Sequence, residues 1–574
     1  MKTVILRFTA ILLAAVLPVC SACKKEEKQT KDAVLTQSVP AALEIDFSNT
    51  LVARIPSNSV GFLKWDGGHP AYEKLLNSPW GGKRQDSMSN LLQGANPQVA
   101  QIYSILDKVG LAPNDNDTWR KVFSEAVFFL SPPSNGGEFG FGLVFKSKNI
   151  SMTEKLKSIK AELGQNSIAV KELNAEGASG ISFDVPTQGR DGTGHQTVFF
   201  AAKNEMAVLG SSQDVLDTVL RSKGDTVPTV AKSANLPKAL RGAPPERDRF
   251  AVGYFDLQEL FAHAGTTPQG VELKKFQSEK FPLQGIGVAL GMSDTPQTFI
   301  QATYDSKTGS PSMLSNLRNS QSPVMLAAVP SKPLLFVSID GQSLRRARDS
   351  IAASTPPEQQ QLFAQLAFMD NLNRAGITAR MAPVGQSILP VPDMMIILDT
   401  PNVIQAKDGI EKMIDTLAQA SPTTQGMKWS DHDVDGKTKI RAMMSPLGLG
   451  VFLVATDKLV LISSAEAPLR AALQGQEKDS FTKNLSDRAQ TVLSKQPNVG
   501  TVYVNFEEVG LFMENMGGVL SMYAPQNQNT NKLLEQQNID SMKKMGAIVG
   551  TVTLDEDAIG FRTFYQPPAA VSKG

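Results

Sequence analysis

Past about residue 50 the chain alternates between apolar runs of strand length and a few longer stretches with helical spacing. The first strand follows the Ile55-Pro56 step of "RIPSNSVGFLKWDG", because proline fixes its own φ and biases the preceding residue toward extended geometry. Asp66-Gly67 ends it. The runs "AVFFLSP" and "FGLVF" predict neighbouring strands. In "TEKLKSIKAEL", Leu156, Ile159 and Leu163 stand at helical spacing, with Thr153 as the start. A two-residue hairpin turning on Glu176-Gly177, two more strands, a helix entered at Ser211-Ser212 and last strands carrying Tyr254 and Tyr304 complete the series. Strands joined by tight turns, with few helices, predict an α+β domain built on a largely antiparallel sheet. Because the runs alternate on one face, the helices are expected to pack on that sheet's other face alone.

The series then returns. "LVARIPSNSVGFLKWDG", from Leu51, is matched by "MLAAVPSKPLLFVSIDG", from Met325, with Ala53, Pro56, Ser57, Phe62, Asp66 and Gly67 against Ala327, Pro330, Ser331, Phe336, Asp340 and Gly341. "VKELNAEGASGISFDV" parallels "WSDHDVDGKTKIRAMM", and "FFAAKNEMAVLGSSQDVLDTVL" parallels "VFLVATDKLVLISSAEAPLRAAL", where Ser463-Ser464 stand against Ser211-Ser212. "VGYFDLQEL" parallels "TVYVNFEEV". Recurrence in order at about 250 residues predicts two tandem duplicated domains and not a short solenoid. The serine-rich join sets domain one at 51–305, a linker at 306–323, domain two at 324–568 and a tail at 569–574.

The N-terminal segment has a different pattern. Lys2 and Arg7 precede an apolar run from Phe8 to Leu17, too short for a permanent span of about 20 residues. Ser21 and Ala22 then precede Cys23. The arrangement predicts an export signal over 1–22, and it resembles the lipobox of bacterial lipoproteins, which implies a lipidated Cys23. Cys20 is the poorer acceptor, because Pro18 and Val19 precede it. Residues 24–50 are polar, mixed in charge and poor in aromatics, the composition of a tether. Lys24 and Lys25 after the acceptor imply, by the same resemblance, an outer-membrane anchor in a two-membrane bacterium.

The chain carries 57 basic and 56 acidic residues; removing Lys2 and Arg7 leaves 55 against 56, no footprint for nucleic acid. With no cysteine beyond Cys20 and Cys23, disulfides and thiolate sites are excluded from the body. Asp431, Asp433, Asp435 and Gly436 imitate the first half of a calcium loop, but the twelfth position is Ala442 and a strand-like run follows, so a solvated Asp-Gly hairpin is preferred. Gly436-Lys437-Thr438 lacks the glycine a phosphate loop needs five residues earlier. The paired serines are read as helix N-caps. His69, His195, His263 and His432 are scattered and form no metal-binding spacing. Phe62, Trp65, Trp80 and Trp119 could line a ligand groove, though such residues are more often core. No cofactor is expected.

The opening "RIPSNSVGFLKWD" and "AVPSKPLLFVSID", the later "NEMAVLGSSQDVLDTVL" and "DKLVLISSAEAPLRAAL", and "YFDL" or "YVNF" together resemble a group of bacterial envelope proteins that carry a domain of unknown function. The resemblance implies no catalytic residues. The expectation is a membrane-anchored envelope lipoprotein with a non-enzymatic binding or scaffolding role toward a protein or glycan. The alternative is an envelope hydrolase with a site in domain one using Asp66 and His69.

Overall fold

In a computed structural model, the structure describes residues 46–78, 120–132, 139–166, 168–189, 192–221, 228–264, 283–305, 320, 322–354, 366–382, 392–420, 427–434, 438–444, 450–474, 481–523 and 536–568. The chain divides into two compact units, one running to Ser310 and including Asp555–Arg562, the other comprising Pro311–Leu554 and the segment from Thr563 onward.

The first unit holds β1 (Gly61–Trp65), β2 (Glu125–Ser131), β3 (Gly140–Lys146), β4 (Val170–Ala175), β5 (Ala178–Gly189), β6 (Gly192–Lys203), β7 (Met206–Gly210), β8 (Arg249–Asp256), β9 (Leu283–Met292) and β10 (Pro296–Tyr304). They pair antiparallel in the order β4-β5-β6-β7-β3-β2-β1-β8-β9-β10. The second unit holds β11 (Leu335–Asp340), β12 (Arg374–Arg380), β13 (Asp393–Asp399), β14 (Trp429–Asp433), β15 (Lys439–Met444), β16 (Gly450–Ala455), β17 (Leu459–Ser463), β18 (Gly500–Asn505) and β19 (Ala547–Leu554), while β20 (Ala558–Gln566) divides after Arg562, its earlier residues belonging to the first unit. Its antiparallel order is β14-β15-β16-β17-β13-β12-β11-β18-β19, and β20 pairs with β19. The two orders run position for position. Phe62 of β1 lies opposite Phe129 and Tyr254, and Phe336 of β11 lies opposite Thr378 and Tyr503.

The helices do not gather on one face of either sheet. In the first unit Phe62, Val127, Phe129 and Val208 share a core with Leu216 and Val219 of the helix Gln213–Arg221. Ala126, Phe145 and Ala207, which alternate with them, share another with Met152, Leu156, Ile159 and Leu163 of the helix Met152–Gln165. The second unit repeats this division: Leu459 and Leu461 pack toward Leu469, whereas Val460 packs toward Ala406 and Ile410 of the helix Val403–Ala420. The reason is legible in β7 and β17, "MAVLG" and "LVLIS", where successive residues are apolar, as in strands buried on both faces.

Local hydrogen bonding revises several expected details. Ser151, and not Thr153, caps the helix Met152–Gln165, while Thr153 accepts from Asn204 N. Ser212 caps its helix as expected, accepting from Val215 N at 3.3 Å. Ser463 and Ser464 do not cap theirs; the N-cap is Ala465, and both serines bond Met394 of β13. Asp340 accepts from Gln342 N and Ser343 N, both at 3.0 Å, so its Asp-Gly step starts the helix Gly341–Ser354.

Candidate functional site

The structure places the candidate residues of the first unit in separate roles. His69 is the N-cap of the helix Pro70–Leu76, its Nδ1 accepting from Ala71 N at 3.1 Å. The Asp66 carboxylate lies 3.7 Å from Lys64 Nζ. No hydrogen bond joins the two side chains among the described residues. The nearby rings are packing: Trp65, Tyr72 and Phe250 meet at 4.6–5.6 Å between centroids, and Phe62 is buried. Trp80, Trp119, Cys20 and Cys23 lie outside the described residues, as do the His195 side chain and its surroundings.

The calcium-like stretch is a hairpin strand. β14 pairs with β15 so that Asp431 lies opposite Arg441 and Asp433 opposite Lys439. Asp431 sits 3.8 Å from Arg441 Nε and 3.7 Å from Lys439 Nζ. Opposite charges facing each other across a ladder explain why acids alternate here. Asp435 lies outside the described residues. Among the described residues no group of three or more His, Cys, Asp or Glu side chains could hold a metal ion.

Two other arrangements stand out. The first is a row of aliphatic side chains across six strands of the second unit: Val502, Val337, Ile377, Ile396, Ile462 and Leu453, each directly opposite the next. Directly paired residues share a face. In the middle of this row Ile377 is 44% exposed and Ile396 37%, and Met394, two residues along β13 from Ile396, is 44% exposed. The corresponding row of the first unit, Leu63, Phe128, Leu143 and Leu209, is half-buried.

The second lies on β14. Ser430 and His432 are two residues apart on a strand and therefore project to one face. His432 Nδ1 is 2.8 Å from Glu466 Oε2, at the start of the helix Glu466–Leu473. Ser430 Oγ donates to Ala442 O at 3.2 Å and lies 3.4 Å from His432 Nε2. Arg470 donates to Glu466 and to Asp433 O. Burial alone would push the Glu466 carboxyl up, but the hydrogen bonds from His432 and Arg470 hold it below the ordinary glutamate value. A carboxylate at Nδ1 fixes the ring and leaves the Nε2 lone pair facing Ser430.

Comparison with known proteins gives no matching family model, no matching curated protein and no matching solved structure. Among the described residues no helix is long and apolar enough to cross a membrane.

Proposed function

We propose that the chain is a lipid-anchored envelope protein whose two units arose by tandem duplication and whose body binds an apolar segment of another envelope polypeptide. The observation that carries the binding reading is the exposed row through Ile377 and Ile396 on the sheet of the second unit. Covering the part of Ile377 or Ile396 that is still exposed contributes about 1 kcal/mol each. A glycan is the poorer fit, because sugar faces stack on exposed rings, while Phe62, Tyr72 and Phe250 are buried. The matching strand orders and the ordered recurrence in sequence support the duplication. The charge and small-residue pattern before Cys23 supports the anchor, and Lys24 and Lys25 after it support an outer-membrane address by resemblance to lipoproteins.

The test places a photo-crosslinking residue at position 377 in cells. A defined polypeptide adduct is expected, and Ile396→Glu in the same chain should abolish it. Adducts to lipid or glycan alone, or none, would overturn the reading. Cys23→Ser is expected to move the protein from the membrane to the soluble fraction; unchanged fractionation would remove the anchor from the proposal.

A further inference from the structure

The alternation on β14 turns a small polar cluster into a reactive geometry. We propose that Ser430, His432 and Glu466 form an ester-hydrolysing site, with Ser430 as nucleophile, His432 as general base and then acid, and Glu466 as a positioning residue. This goes beyond the binding reading and is independent of it, since Ile377 and Ile396 lie on other strands.

The contacts place nucleophile and base 3.4 Å apart and base and carboxylate 2.8 Å apart, and activation needs the Ser430 hydroxyl to turn its proton from Ala442 O, 3.2 Å away, to His432 Nε2. The first distance is at the loose end, as is common before substrate binds. Ser430 is exposed, and the His432 side chain is 35% exposed, so a carbonyl can reach the hydroxyl. Glu466 is positioned in turn by Arg470. In the proposed step Ser430 Oγ forms a bond to the ester carbonyl carbon as its proton passes to His432 Nε2. The C–O bond to the alcohol then breaks, its electron pair leaving on oxygen, and the imidazolium returns the proton to that oxygen. Water repeats the sequence on the acyl-serine and releases a carboxylic acid.

Stabilisation of the carbonyl oxygen falls to the backbone. Val434 N donates to Thr438 O at 3.0 Å. Antiparallel pairs alternate between bonded and non-bonded, so the N–H groups of His432 and Ser430 also point at β15 and that of Asp431 points to the open side. Among the described residues β14 pairs with β15 alone, which leaves the Asp431 N–H available between nucleophile and base. One donor and an open edge suit an ester with a good alkoxide leaving group better than an amide. The first unit lacks the array, because Leu173 and Lys171 stand where the repeat places His432 and Ser430.

The full chain should be treated with a fluorophosphonate, which esterifies activated serines, and assayed on p-nitrophenyl acetate. Labelling mapped by mass spectrometry is expected at Ser430. Ser430→Ala and His432→Gln should each lower turnover by roughly 10²-fold or more, while Ser158→Ala in the first unit should not. Glu466→Gln should lower kcat with KM unchanged, and Glu466→Asp should restore part of it; circular dichroism of each variant checks that the fold is retained. Absence of label at Ser430, or label and turnover unchanged in a folded His432→Gln protein, would overturn the assignment.

Discussion

At the scale of single residues, the two units perform one task with opposite charges. Glu125 opens β2 and Arg374 opens β12, at positions made equivalent by the registers through Phe129 and Thr378. Glu125 accepts from Leu51 N at 2.8 Å and so holds the segment that leads into its sheet. Arg374 donates to Ser320 O at 2.9 Å and to Asn498 O at 3.0 Å, holding the corresponding segment of the second unit. Burial pushes the Glu125 carboxyl up, and burial brings the Arg374 guanidinium down to about 10 against the attraction of Asp340 and Asp399. Arg374 therefore remains charged at neutral pH while almost wholly buried. Arg374→Met should leave Ser320 O, Asn498 O and Asp340 without their cation, a loss of about 3–5 kcal/mol measurable by urea unfolding; a loss below about 1 kcal/mol would show that water replaces the guanidinium. None of this was legible in the sequence, because matching identical residue types cannot pair a glutamate with an arginine. The contacts of Ser430, His432 and Glu466 are illegible in the sequence for a related reason. Helical metal-binding spacings say nothing of Ser-x-His inside a strand, and its carboxylate partner, Glu466, comes 34 residues after His432.

At the scale of elements, most strands were legible and the layering was not. Period-two alternation and tight turns located β1 to β3 and the β4–β5 hairpin. Runs such as "LVLIS" carry apolar side chains on both faces, and only the helices packed there, Met152–Gln165 and Val403–Ala420, show that both faces are covered. The turn after β4 was readable in full: Glu176 has φ +49° and Gly177 φ +74°, the doubly positive pair that a two-residue hairpin requires. Gly177 has open space where a Cβ would stand, so backbone strain alone sets the effect of a substitution. Gly177→Ala should cost about 1–2 kcal/mol by chemical denaturation, and an unchanged midpoint would mean that the turn relaxes to another conformation. The corresponding Asp435-Gly436 turn lies outside the described residues, and Val434 N donates to Thr438 O at 3.0 Å across it.

At the scale of the whole molecule, the proposed duplication has a thermodynamic consequence. The buried clusters around Phe62 are drawn from residues 47–299 and those around Phe336 from residues 325–564. The two phenylalanines occupy the same register, and each is at most 1% exposed. Truncating a buried phenylalanine to alanine costs about 3–5 kcal/mol, because both the transfer energy and the cavity count against the folded state. If each unit melts as its own cooperative body, calorimetry of the full chain should resolve two transitions. Phe62→Ala should lower one midpoint and leave the other within error, and Phe336→Ala should do the reverse. The double variant should show the two shifts added, since distant and independent sites are additive to within about 0.5 kcal/mol. A single transition moved by both substitutions would instead mean that the two units unfold together as one cooperative body.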